Sequence, residues 1–124
     1  MLDRKVNPGI VAKLNELGGK GRGISGRKVF QAKKAAKVDG VGLGRVGEAE
    51  RCETKVVIQA LAAQETAVVS PVGLGKDGGA MNLNADVAAA ALAGALQAEQ
   101  LVFLSSLVKA AAVAGVVLTL VPEA

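Results

Sequence analysis

Asn82, Asn84 and Asp86 stand at alternate positions in Met81-Asn-Leu-Asn-Ala-Asp86. They follow the glycine-rich stretch Pro71-Val-Gly-Leu-Gly-Lys-Asp-Gly-Gly79 and precede the alanine-rich run Val87 to Leu96. Amides and a carboxylate gathered at the mouth of a helix, beside backbone that glycine lets approach closely, suit the binding of a small anionic ligand. Asn and Asp are also favoured helix caps, so capping and ligand binding stand side by side at this point.

Other chemistries are narrowed by composition. The chain has no His, Trp or Tyr. That excludes histidine acid–base catalysis, His-ligated metal sites and nucleic-acid binding through a row of stacked aromatics. Cys52 is the single cysteine, so it can form no intrachain disulfide and no cysteine metal cluster. It reads as an ordinary small residue at a helix start, in a reducing compartment, and a cytoplasmic location is expected. Lys20, Arg22, Arg27, Lys28, Lys33, Lys34 and Lys37 form a basic run with no acidic residue among them, within a net charge of +4. With Phe30 as its lone aromatic, the run reads as a solvated face or a phosphate-facing surface, and no nucleic-acid partner is expected.

At 124 residues the chain has the length of one domain, and its 51% apolar content is mostly small side chains. The polar start, Met1-Leu-Asp-Arg-Lys-Val-Asn-Pro8, shows no apolar signal core. Leu101 to Val121 is almost wholly apolar over about the length of a membrane span. Lys109 interrupts it, and 110–121 is too short to cross a bilayer, so no membrane segment is expected; a span at 101–121 is the alternative.

The elements that must position the polar cluster follow from spacing. Asn7-Pro8 reads as the cap and first turn of a helix with Ile10, Leu14 and Leu17 on one face, stopped by Gly18-Gly19. Gly21-Arg-Gly-Ile-Ser-Gly26 fits the pattern G-x-G-x-x-G. That dinucleotide fingerprint needs a strand before it and a helix after it. Here a helix precedes and a basic extended segment follows, so the match is read as coincidence. Residues 27–50 read as a loop or short surface hairpin. A helix is expected from about Thr54 to Ala63, and a buried strand over Thr66–Ser70. A hairpin turn falls at Lys76-Asp-Gly-Gly79, a third helix at about Ala85–Ala98, and a further strand at Leu101–Ser105. This alternation predicts an α/β fold: a mainly parallel sheet with helices on both faces, whose ligand sites lie beyond the carboxyl ends of the strands. The strand ending near Ser70 brings the hairpin and the Asn/Asp cluster to that edge, which favours ligand binding over capping for the cluster.

The same residues resemble the acetylglutamate kinase branch of the amino acid kinase family. The resemblance rests on Pro71-Val-Gly-x-Gly-x-Asp-Gly78 followed by Met81-Asn-Leu-Asn-Ala-Asp86-x-x-Ala-x-x-Leu92-Ala. It continues through Val6-Asn-Pro, Leu14-Asn, Gly18-Gly, Gly23-Ile-Ser-Gly26 and Gly44-Arg-Val-Gly-Glu48, and ends at Ala98-Glu-Gln-Leu-Val-Phe-Leu-Ser105. It implies a three-layer sandwich, incomplete here, with residues 1–105 as a central segment and 106–124 as an apolar segment that does not match.

The resemblance further implies transfer of the γ-phosphoryl group of ATP, with Mg, to the side-chain carboxylate of N-acetyl-L-glutamate in arginine biosynthesis. Asn82 would bind the acylated amino acid. Asp86 would organise two lysines around the phosphoryl group, and Gly73, Gly75 and Gly78 would let the hairpin approach the ligand. Phosphoryl transfer asks mainly for electrostatic positioning. A carboxylate is favoured at a helix N-terminus, and an amide offers both a donor and an acceptor. The family's leading strand, lysine and phosphate loop are not found before Met1, and its second lysine is not matched. Ser106 stands where the family has Asp, and Lys109 has no family equivalent. The chain is therefore expected to be incomplete and inactive alone, and to form homo-oligomers. The alternatives are a related kinase with another acceptor, and a non-catalytic interaction domain whose bare flank binds a partner.

Overall fold

The structure, a computed structural model, describes residues 2–34, 46–104 and 116–117. In chain order the elements are α1 (Asn7–Glu16), β1 (Gly21–Ile24), β2 (Phe30–Lys34), β3 (Val46–Cys52), α2 (Lys55–Ala62), β4 (Thr66–Val69), β5 (Val72–Leu74), β6 (Ala80–Leu83), α3 (Ala85–Leu96) and β7 (Val116–Val117).

β1 and β4 are parallel neighbours, in register from Gly21 opposite Thr66 to Ile24 opposite Val69. Successive strand residues face opposite sides, and the two helices divide those sides between them. Gly21 and Gly23 face Leu14, Val11 and Asn7 of α1. Ile24, Ala67 and Val69 join Val57 and Ala60 of α2 in the core. This is the α/β arrangement that the alternation of helices and strands predicts.

The first helix begins differently from its sequence signal. A π-type turn over Leu2–Val6 runs directly into α1, and Val6 is already helical, at φ −69° and ψ −49°. Asn7 therefore has no cap to make. Its side chain is buried, and its Nδ2 donates to the Val68 carbonyl at 2.9 Å and the Ile24 carbonyl at 3.4 Å. The amide links α1 to both parallel strands.

Of the segment read as a loop or short surface hairpin, residues 27–34 and 46–50 do more than that, and 35–45 lie outside the described residues. β2 and β3 pair antiparallel with a bulge, since Gln31 faces Arg51 whereas Ala32 faces Ala49. β2 also pairs with β5, β3 with β6, and β5 with β6, closing a four-stranded barrel. Phe30, Ala32, Met81 and Leu83 alternate inward along β2 and β6. They join Ala88, Ala89 and Leu92 of α3 and the apolar residues between β1–β4 and α2 in one continuous core. Apart from Phe30, Met81 and the leucines, these side chains are short. Stability rests on close approach of backbones as much as on area removed from water.

The strand expected at Leu101–Ser105 is not formed over 101–104, which run irregularly with Val102, Phe103 and Leu104 exposed; Ser105 lies outside the described residues. β4 instead pairs on its other edge with β7, antiparallel, as Val68 with Val117 and Val69 with Val116. The parallel β1–β4 pair thus ends in an antiparallel strand drawn from farther along the chain.

Candidate functional site

The β5–β6 hairpin carries the polar motif to the mouth of α3. Gly75 N–H donates to the Gly79 carbonyl at 2.8 Å, and Gly78 N–H to the Gly75 carbonyl at 3.0 Å. Gly78 takes φ +83°, as the Asp-Gly signal predicts, and the Asp77 carboxylate accepts from Gly79 N–H at 2.9 Å. Gly73 faces the barrel interior, where an added Cβ would lie 2.6 Å from Ala32 Cβ. A Cβ on Gly75 would lie 2.9 Å from Met81 Cε. These two glycines keep the hairpin thin against the barrel, while Gly78 turns it.

The three polar residues then separate in role. Asn84 is the cap of α3: its Oδ1 accepts from Val87 N–H at 3.1 Å, and its φ of −63° and ψ of 124° are extended, as a cap requires. Asn82 lies on β6, opposite Val72 in register on one side and Val46 on the other, and is exposed. Asp86 is exposed in the first turn of α3. Among the described residues neither the Asn82 nor the Asp86 side chain makes a hydrogen bond or ion pair. The strand-to-helix junction therefore presents one unspent amide and one unspent carboxylate on either side of the working cap.

A second polar assembly sits at the carboxyl ends of β1 and β4, and sequence reasoning missed it. The Asp3 carboxylate accepts from the hydroxyls of both Ser25, at 2.7 Å, and Ser70. Ser70 Oγ accepts from Gly26 N–H at 3.0 Å, and Arg27 Nε lies 3.6 Å from Asp3. Gly26 is forced at this point by close approach, since a Cβ there would stand 2.1 Å from the carbonyl oxygens of Ser70 and Val72. The glycine pattern Gly21-x-Gly-x-x-Gly26 is thereby explained without a dinucleotide. Two of its glycines lie inside β1 against α1, the third abuts the backbone after β4, and a three-residue 3-10 turn follows in place of a helix.

A cavity of about 290 Å³ opens elsewhere on the barrel, lined by Arg27, Lys28, Val29, Phe30, Gln31, Arg51, Glu53, Leu74 and Gly75. Asn82 and Asp86 do not line it. The basic run divides accordingly. Arg22 pairs with Glu65 through contacts of 2.5 and 3.2 Å, Arg27 and Lys28 border the cavity, and Lys33 and Lys34 are exposed on β2; Lys37 lies outside the described residues. Cys52 ends β3 rather than starting a helix. Half-buried against the core, its thiol is pushed above the ordinary range by loss of solvent, which makes it a poor nucleophile.

A parallel strand pair flanked by helices, with an Asn-x-Asn-Ala-Asp motif where a strand enters a helix, defines a class, and the comparisons agree on it. The amino acid kinase family model matches residues 4–108, and the chain belongs to that family. It is 38% identical over 111 residues to an acetylglutamate kinase of Methanococcus vannielii, covering 82% of this chain and 37% of that protein. It is also 38% identical over 109 residues to an acetylglutamate kinase of Akkermansia muciniphila, covering 84% and 37%. The crystal structure of smu.665 from Streptococcus mutans superposes with a TM-score of 0.68 at 26% identity, over 79% of this chain and 40% of that one. The chain thus spans little more than a third of the length of these curated relatives. Among the described residues no helix is long and apolar enough to cross a membrane.

Proposed function

We propose that this chain supplies the acceptor side of an N-acetylglutamate kinase. In this reading Asn82 holds the acylated amino acid and Asp86 orients ammonium groups around the phosphoryl group passing from ATP to the side-chain carboxylate, giving an acyl phosphate for arginine biosynthesis. The observation that carries it is the division of labour in Asn82-Leu-Asn-Ala-Asp86. Asn84 alone caps α3, while Asn82 and Asp86 are exposed and unspent on adjoining elements. A cap needs one such residue; the other two are left for a ligand. The resemblance to acetylglutamate kinases supports the choice of acceptor.

ATP is the donor substrate in this reading. Among the described residues no three Asp, Glu or Cys side chains gather to hold a metal ion.

The test is a titration of the isotopically labelled chain with N-acetyl-L-glutamate, followed by amide chemical shifts and calorimetry. Saturable shifts at Asn82, Ala85 and Asp86, lost in Asn82→Ala and much weaker with L-glutamate, are expected. An absence of saturable binding in the wild-type chain, or equal binding by Asn82→Ala, overturns the reading.

A further inference from the structure

We propose that the basic cavity on the outer face of the barrel is a binding site for a small phosphomonoester, distinct from the Asn82–Asp86 junction. Strand register builds it. Arg51 of β3 faces Gln31 of β2, and Gln31 in turn faces Leu74 of β5, so the three lie in a row across neighbouring strands. All three are exposed, on the side of the barrel opposite the inward-facing Phe30 and Ala32. The 3-10 turn at Gly26–Lys28 adds Arg27 and Lys28 to one border. Glu53 is the single acidic residue of the lining, and its Oε1 accepts from Lys55 N–H at 3.2 Å.

Charge and shape select the ligand class. Three cations against one carboxylate leave a surplus of positive charge that suits a dianion better than a monoanion. Lys28 and Arg51 form no ion pair among the described residues, while Arg27 leans toward Asp3 at 3.6 Å. Guanidinium groups bind phosphate oxygens two at a time, which a lysine-only surface cannot do. Behind the cations lie Val29 and Phe30, 1% and 2% exposed, with Leu74 at the rim, 39% exposed. A cavity of about 290 Å³ has room for a phosphoryl group and a short apolar skeleton resting against the exposed Leu74 side chain. The cations are gathered by the Gly26–Lys28 turn and by the hairpin register, which joins Arg51 to the basic run of the preceding segment.

The experiment is calorimetric titration of the 124-residue chain at low salt with n-butyl phosphate, inorganic phosphate and succinate. Butyl phosphate is expected to bind more tightly than inorganic phosphate, and both more tightly than succinate. Arg51→Gln and Lys28→Gln, exposed substitutions whose folding is checked by circular dichroism, should each weaken butyl phosphate by about tenfold, the size of one charge-assisted contact. Binding should also weaken several-fold as ionic strength rises from about 0.05 to 0.2 M. Asn82→Ala should leave it unchanged, which separates this site from the acceptor site. Succinate binding as tightly as the phosphates overturns the phosphoryl assignment, and inorganic phosphate matching butyl phosphate overturns the apolar floor. No saturable binding, or no loss in Arg51→Gln, overturns the site itself.

Discussion

The parallel pair β1–β4 and the four-stranded barrel both use glycine where elements meet, but they meet different neighbours. On the face of β1, Gly21 looks toward the tip of Leu14, 3.0 Å from where a Cβ would be, and toward Val11 at 3.4 Å. Leu14 is half-exposed and can turn aside. Inside the barrel, Gly73 looks at Ala32, a side chain with no rotatable bond and no exposure. Between the two regions, Gly26 looks at the carbonyl oxygens of Ser70 and Val72, which are main chain. At Gly21 the helix laid on the sheet can yield by moving a side chain, whereas at Gly23 it meets the buried Asn7 amide. A small closed barrel can yield only by moving strands, and the junction only by moving the backbone that both share.

The junction gives the largest expected effect. Gly26→Ala places a methyl group against two carbonyl oxygens and displaces the Gly26 N–H from Ser70 Oγ, to which Asp3 is tied. A loss of about 3 kcal/mol or more is expected, with early loss of cooperativity in urea unfolding. A variant that melts within about 1 kcal/mol of wild type would show that the two regions are joined more loosely than the contact distances imply.

Gly73→Ala comes next. The new methyl group meets Ala32 Cβ, Leu83 Cδ1 and the Phe30 carbonyl inside the barrel. The expected cost is about 1–3 kcal/mol, partly restored by Ala32→Gly in the same chain. Failure of Ala32→Gly to compensate would mean that the strain sits in the hairpin turn and not in the barrel interior.

Asn84→Ala removes the hydrogen bond to Val87 N–H and should cost about 1 kcal/mol, measured by thermal unfolding. Asn82→Ala, with no bond of its own to lose among the described residues, should change stability by less than about 0.5 kcal/mol. Equal costs for the two would return Asn82 to a structural role and weaken the case for a ligand.

How much of this was legible in the residues depends on range. α2, β4, the Asp77-Gly78 turn and α3 follow from periodicity and turn chemistry, which are local. The Asn84 cap was legible for the same reason. The barrel was not, because β2 and β3 carry interrupted patterns and are held by a bulged register and by β5 and β6, which lie far along the chain. Asn7 shows how a local signal is overruled: the Asn-Pro pair says cap, yet the preceding residues are already helical and the amide serves two strands instead. Leu101–Leu104 shows the same in reverse. An apolar run reads as a strand, but 101–104 are irregular and β4 pairs with β7 instead. Of the site, the motif and the place of Asn84 at the cap were readable; the exposed, unpartnered side chains of Asn82 and Asp86 were not, since they depend on how β6 and the first turn of α3 are packed. The cavity cations were half readable: Arg27 and Lys28 stand in an evident basic run, but Arg51 joins them through strand pairing.

Gly21→Ala carries the smallest expected effect and tests the compliant side of the comparison. The substitution removes unfolded-chain freedom, a gain of about 0.4–1 kcal/mol where the backbone conformation allows it. Gly21 is an ordinary strand residue and is not among the positions of positive φ, so the gain applies. Against it stands the displacement of the Leu14 side chain by a few tenths of an ångström. Asn15 Oδ1, which accepts from Gly21 N–H at 2.8 Å, would stand 3.6 Å from the new methyl group, an ordinary contact that leaves the bond in place. The two terms should cancel to within about 0.5 kcal/mol in denaturant unfolding. A loss as large as that of Gly73→Ala would show that α1 is locked onto β1 as rigidly as the strands of the barrel are locked onto one another, and the distinction between the two regions would then fail.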